Sequence, residues 1–170
     1  MGPRAQKSSF YHDRCESPLG PLYLVFSGRL LCSIHFERPQ GIPYKKDSAP
    51  RGLIKDMESY FRGEHIEFGQ KVKIISGTDF EKSVWSALKK IPFGETRSYK
   101  WIAEAIGNPS AVRAVGRALS KNPLPIVIPC HRVIEADGSI GGYSSGVDRK
   151  RRLLEIEYYG KINAGLKQRR

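Results

Sequence analysis

Between Ser8 and Glu37 apolar and polar residues alternate with a period near two, in three short runs: "SSFYHDRC", "PLYLVFSG" and "LLCSIHFE". β-Branched and aromatic residues dominate these runs, and Ser-Pro-Leu-Gly and Ser-Gly break them, so the pattern predicts an antiparallel meander. A loop rich in Pro, Gly and Lys comes next, "RPQGIPYKKDSAPRG". The period then lengthens. Leu53, Ile54, Met57, Tyr60 and Phe61 recur at helical spacing with Gly63 as the stop, and "KVKII" returns to a short strand.

Past "ISGTD" the helical period takes over, which puts a domain boundary near Gly77. Thr78-Asp79-Phe80-Glu81 has the form of a capping box and predicts a helix through "FEKSVWSALKK". "IPFGETR" connects it to "SYKWIAEAIG", capped by Ser98; after the turn "GNPS" comes "SAVRAVGRALSKN". Helix, short Gly-containing turn and helix outline a helix-turn-helix. On its second helix Ala111, Val112, Val115, Ala118 and Leu119 share one face, while Arg113, Arg117, Ser120 and Lys121 lie opposite. No acid accompanies those basic residues on the helix, so an external polyanion is the expected partner. The Asp-Gly of "EADGSIGGYSSG" suits a hairpin wing, "VDRKRRLLEIEYYG" a last helix, and residues 161–170 a mobile basic tail. The expected fold is α+β in two domains, residues 1–77 and 78–160, followed by that tail.

Composition changes this picture in three ways. The 170 residues are 39% hydrophobic, enough for a real core. No run reaches the roughly 20 apolar residues of a membrane span, "MGPRAQKSSF" lacks the apolar segment of a secretory signal, and Gln6 stands where a myristoylation signal at Gly2 needs Ser or Thr. These point to an intracellular protein without a membrane partner. The net charge of +12 is unevenly spread: residues 1–78 hold 12 Lys and Arg against 8 Asp and Glu, residues 79–170 hold 17 against 9. The excess favours nucleic acid, bound by the second half. Three cysteines are too few for a disulfide framework. His12, Cys15, Cys32 and His35 carry zinc-ligand chemistry, yet residues three apart on a strand face opposite sides, which favours buried core cysteines over a metal.

The candidate chemistry lies in "LPIVIPCHRVI", an apolar run interrupted by Cys130, His131 and Arg132. Each needs a partner if buried. On the last helix Glu157, three and four residues beyond Leu154 and Leu153, shares their inward face, and His131 is its candidate partner. Cys, His and an orienting acid generate a thiolate at neutral pH. On spacing alone a cysteine hydrolase and a non-enzymatic winged-helix DNA-binding module both fit.

"IPCHRVI", the Asn122-Pro123 before it, "SAVRAVGRAL" upstream and "GGYSSG" downstream closely resemble the O6-alkylguanine-DNA alkyltransferase family, over about Phe80 to Glu157. The resemblance implies stoichiometric repair: an alkyl group moves irreversibly from O6-alkylguanine, and from O4-alkylthymine, to Cys130, without metal or cofactor, after the base flips out of double-stranded DNA. It implies His131 as a water-mediated base, Glu157 as the acid that polarises it, Asn122 as a brace of the active-site turn and Tyr99 as proton donor to the leaving guanine. Tyr143, Ser144 and the backbone at Cys130 and Val133 would hold the base. Arg113 would fill the vacated stack, and Ala114, Gly116, Arg117, Leu119 and Ser120 would face the minor groove; Leu119 equally suits a core position, and Ala114 and Gly116 equally suit helix–helix packing. It further implies a ribonuclease-H-like N-terminal domain with an antiparallel sheet, a C-terminal winged helix-turn-helix, a monomer, and residence in the cytoplasm, or the nucleus of a eukaryote.

Overall fold

β1 (Phe10–Cys15), β2 (Leu22–Ser27) and β3 (Leu30–His35) form the expected antiparallel sheet, in the order β1-β2-β3, in a computed structural model that describes residues 10–167. The first residues of "SSFYHDRC", the segment around Gly2 and the last three residues lie outside that range. Register runs from Phe10 opposite Ser27 to Cys15 opposite Leu22, with a bulge at Val25/Phe26 where β3 joins. The alternation buries Leu22, Leu24 and Phe26 on the core side. His12 turns to the other face, where it meets Tyr23 and Tyr44, so it and Cys15 diverge across the sheet. Among the described residues no three His, Cys, Asp or Glu side chains are grouped as a metal requires.

"KVKII" forms a single parallel rung on β3 instead of a strand: Leu31 N donates to Lys71 O at 3.0 Å and Lys73 N to Leu31 O at 2.9 Å. α1 (Arg51–Phe61) buries Leu53, Met57 and Tyr60. α2 (Asp79–Leu88) starts at the capping box, with Glu81 N on Thr78 Oγ1 (3.2 Å) and Thr78 N on Glu81 Oε2 (2.9 Å). β4 (Arg97–Ser98) leads directly into α3 (Tyr99–Ala105), capped by Ser98 Oγ on Trp101 N, and α4 (Val112–Ser120) completes the helical pair.

Three expectations need correction. Val112, placed on the inward face, is exposed as the first residue of α4, while Val115, Ala118 and Leu119 further along the helix are buried. Around Asp137-Gly138 the wing is a tight turn, with Glu135 N on Ser139 O at 3.0 Å and Gly138 N on Glu135 O at 3.1 Å, and no second strand returns. Gly141, at φ 68°, bends the chain away, and β5 (Val133–Ile134) pairs in parallel with β4. α5 spans Val147–Lys167, so residues 161–167 are helical, not a loose tail; no proline interrupts them and Ile162 and Leu166 continue the helix.

The core is continuous across both halves of the chain, joining Phe26, Met57 and Tyr60 to Val84, Ile102, Val133 and Leu153. At one crossing the backbones touch: a Cβ on Gly160 of α5 would lie 2.1 Å from Gly63 O, just past the end of α1. Among the described residues no helix is long and apolar enough to cross a membrane.

Candidate active site

α4 ends in a tight descent to a short 3-10 turn, Cys130–Arg132. Leu124, Ile126 and Ile128 are driven inward, and Ile126 sits at φ 76°, where a β-branched residue is strained. Asn122 holds this path. Its Nδ2 donates to Ile128 O at 2.8 Å and its Oδ1 accepts from Leu124 N at 3.0 Å. β3 adds a bond from the sheet, Ile34 N to Pro123 O at 2.9 Å, and Cys130 N closes onto Ile128 O at 2.8 Å.

The β4–β5 rungs, Arg97 with Val133 and Ser98 with Ile134, seat the start of α3 beside this turn. As a result Tyr99, Gly116, Leu119, Ser120, Cys130, Gly142, Tyr143 and Ser144 line one cavity of about 220 Å³. Tyr143 Oη lies 3.9 Å from Cys130 Sγ. A wider cavity of about 370 Å³ shares Cys130 and brings in His35, Phe36 and Glu37 from the sheet side. Leu119 is a core residue that also walls the cavity. Val133 is buried away from the cavity lining, with its backbone in β5. Arg113 and Arg117 stand exposed on α4 and form no ion pair among the described residues; Ala114 is half-buried beside them. Lys121 departs from the expected free basic face, since Glu81 of α2 reaches it at 2.7 Å.

Behind Cys130 lies a buried polar cluster. His131 Nε2 is 2.7 Å from Glu157 Oε1, both essentially without solvent contact. Arg132 donates Nε to Glu157 Oε2 at 2.8 Å and Nη2 to Oε1 at 3.0 Å, and its Nη1 reaches Ile91 O at 2.7 Å. Gly94 N adds a bond to Oε2 at 3.0 Å, and Tyr60 OH one to Oε1 at 2.7 Å. Burial works to raise the Glu157 pKa, but the hydrogen bonds and charges of His131 and Arg132 hold it well below the usual carboxylate range. Burial lowers that of His131 despite Glu157. The pair is therefore a carboxylate and a neutral imidazole, with Arg132 as counter-charge. With Nε2 committed to Glu157, Nδ1 carries the lone pair, and it has no hydrogen-bond partner within the protein.

Burial raises the Cys130 thiol pKa, opposed by the Asn122 amide, the Tyr143 hydroxyl and the Lys150 ammonium. Lys150 is itself buried, with Nζ 3.1 Å from Gly142 O, the backbone of the cavity wall. Burial lowers its pKa, against the attraction of Cys130 and Glu135. Tyr99 is half-buried, and its phenol pKa is raised by burial and by the charges of Glu135 and Cys130.

Sequence reasoning brought Cys130, His131, Glu157, Asn122, Tyr99, Tyr143 and Ser144 to this place but missed four groups: Tyr60, Gly94, the role of Arg132, and Lys150. A signal existed for Lys150: with Leu153 and Glu157 it shares one face of α5 at spacings of three and four. It was hidden within the charge run "DRKRR".

Comparison with known proteins adds an independent line. Residues 79–159 match the family model for the DNA-binding domain of 6-O-methylguanine DNA methyltransferase. The methylated-DNA–protein-cysteine methyltransferase of Mycobacterium tuberculosis is 44% identical over 152 residues, covering 86% of this chain and 92% of that protein. The crystal structure of Mycobacterium tuberculosis OGT in complex with DNA is 43% identical, superimposes with a TM-score of 0.81, and covers 88% of this chain and 94% of that one. The O6-methylguanine-DNA methyltransferase of the hyperthermophilic archaeon Pyrococcus kodakaraensis is 28% identical at a TM-score of 0.66, covering 87% and 98% of the two chains. A cysteine backed by imidazole and carboxylate, at the floor of a cavity beside a helical pair, thus coincides with close likeness over most of the sequence. This chain belongs to the methylated-DNA–protein-cysteine methyltransferases.

Proposed function

We propose that the protein repairs alkylated DNA by direct reversal, taking the alkyl group from O6 of guanine, or O4 of thymine, onto Cys130 Sγ in one irreversible turnover. The observation that carries this is the position of Cys130 on the 220 Å³ cavity with the His131–Glu157 pair directly behind it. The free Nδ1 of His131 takes the thiol proton through a bridging water, and the low pKa of Glu157 keeps a full negative charge against the imidazolium that results. Sulfur attacks the alkyl carbon, the carbon–O6 bond breaks, and Tyr99 gives the departing guanine its proton. Solvent then restores the phenol as His131 releases its own. A thioether resists hydrolysis, so each chain acts once.

The target oxygen is out of reach in a stacked duplex, so the nucleotide must be flipped at a cost of a few kcal/mol. Arg113, exposed at the start of α4, fills the gap. Gly116 and Ala114 let the minor-groove backbone approach, Arg117 and Ser120 contact it, and Tyr143, Ser144 and the backbone at Cys130 and Val133 grip the base. Asn122 keeps the turn in place. The working unit is a monomer without cofactor, located in the cytoplasm. Residues 1–77 form a ribonuclease-H-like domain and residues 78–160 a helix-turn-helix domain whose wing is the short 135–139 turn. A cysteine hydrolase would turn over without keeping an adduct, and a pure DNA-binding module would stay unmodified. Intact mass after incubation with duplex DNA carrying O6-methylguanine separates them: one methyl group gained per chain is expected, and an unchanged mass rejects the transfer.

A further inference from the structure

The N-terminal half sends a phenol into the catalytic carboxylate. Tyr60 is 1% exposed, with Phe61, Phe68 and Phe93 ringing it at centroid distances of 5.3, 6.0 and 6.1 Å. Its hydroxyl donates to Glu157 Oε1 at 2.7 Å, the same oxygen that accepts from His131, and lies 3.3 Å from His131 Nε2. With its own proton on Glu157, the phenol oxygen turns a lone pair toward Nε2. Two acceptors therefore face that nitrogen, and it must carry the proton.

The contact is anchored three residues further along on both segments. Tyr60 precedes Gly63 by three residues and Glu157 precedes Gly160 by three, and Gly63 and Gly160 meet backbone to backbone. The crossing of α1 on α5 thus sets where the hydroxyl meets the carboxylate.

We propose that Tyr60 is a positioning residue for alkyl transfer. It holds the shared oxygen of Glu157 against His131, keeps the imidazole proton on Nε2 so that Nδ1 is the base, and tempers the charge that Glu157 presents. The proposal rests on the assignment of Cys130 as acceptor and His131 as base. A carboxylate that gives up a hydrogen bond becomes more basic and stabilises an adjacent imidazolium more strongly. Without the hydroxyl, His131 holds its proton to higher pH and becomes available as a base only there, while the imidazole loses part of its orientation.

The test uses full-length protein and single-turnover transfer from an O6-methylguanine duplex, measured across pH alongside iodoacetamide capture of Cys130. Tyr60→Phe should lower the plateau rate about tenfold and move the midpoint of both profiles to higher pH by about half a unit. Replacing Tyr60 by 3-fluorotyrosine, a stronger donor of nearly the same shape, should move the midpoint the other way. Profiles that superimpose on wild type after scaling, or shifts in the same direction for both replacements, overturn the proposal. Where Tyr60→Phe does not fold, the direction given by the fluorinated residue decides alone. His131→Gln separates this from the assignment beneath it: if that variant keeps the wild-type pH profile, His131 is not the base and the role of Tyr60 falls with it. If the midpoint is lost in His131→Gln but unmoved in both Tyr60 replacements, only Tyr60 is excluded.

Discussion

Cys130 differs from the other two thiols less in burial than in company. Cys15 is pushed up to about 11 by burial and by Glu58, Glu16 and Asp13, and burial raises Cys32 as well. Cys32 has the ammonium of Lys73 near it as Cys130 has that of Lys150, but only Cys130 is followed directly by an imidazole. Peptide mapping after one equivalent of alkylguanine DNA should place the adduct on Cys130 alone; an adduct on Cys15 or Cys32 would remove it as the acceptor. Tyr99→Phe should slow transfer by about 10²-fold while DNA affinity stays near wild type, because it deletes a proton donor and little area; a parallel fall in binding would make Tyr99 a duplex contact instead. Stability should also track pH through this cluster. The folded His131 binds its proton less readily than the unfolded one, whose ordinary value is 6.5, so the stability it lends is present above that pH and lost below it. Glu157 is depressed from 4.5, so its contribution is present above 4.5 and lost as pH falls further. Melting curves should therefore show Tm declining in two stages on acidification, and Glu157→Gln should shrink the second, to which Glu64, Glu81, Glu95 and Asp137 also contribute. At this scale Cys130, His131 and Glu157 were legible because a polar triplet inside an apolar run, and an acid on an inward helix face, are both costly without partners. Tyr60 was not. At helical spacing it reads as one more core aromatic, and its partner lies 97 residues away in sequence.

Among the elements, α4 divides its work by face. Val115, Ala118 and Leu119 fasten it to the core, leaving Arg113 and Arg117 exposed. Arg113→Ala should cut repair of duplex DNA by far more than reaction with a free alkylguanine base, which needs no flipping; equal losses on both substrates would remove its role in the stack. The meander, the capped α2 and the helical pair were readable from local chemistry: period, turn residues, and a Thr-x-x-Glu box that forms as written. The wing and the end of α5 were not. Asp137-Gly138 fixes a turn but leaves the path of the chain beyond it open, and Gly141 with Gly142 lets the chain leave before a second strand pairs. Residues 161–167 look like a solvated tail because their charges hide a helix already nucleated by fourteen residues of packed α5.

The whole molecule is joined at a point where no side chain fits. A methyl group at Gly160 would meet Gly63 O at 2.1 Å, carbonyl backbone that cannot swing aside as a flexible side chain does. Gly160→Ala should destabilise the fold by about 3 kcal/mol, measured by denaturant unfolding, and slow alkyl transfer with it, because α1 and α5 must separate where Tyr60 meets Glu157. A full transfer rate in the folded variant would show that the crossing does not govern the site.

Trp85 is buried beneath Gly77 and donates its indole N–H to Ala118 O at 2.8 Å, one residue before the Leu119 that walls the cavity. α4 is thus wired to a fluorophore. Any shift of α4 as a lesion enters, or as the methylated sulfur presses outward, alters that bond and with it the colour and yield of indole emission. The molecule carries its own optical clock. Spent and fresh copies should be distinguishable in a stopped-flow cuvette without a label, and Trp85→Phe should silence the signal while the emission of Trp101 persists.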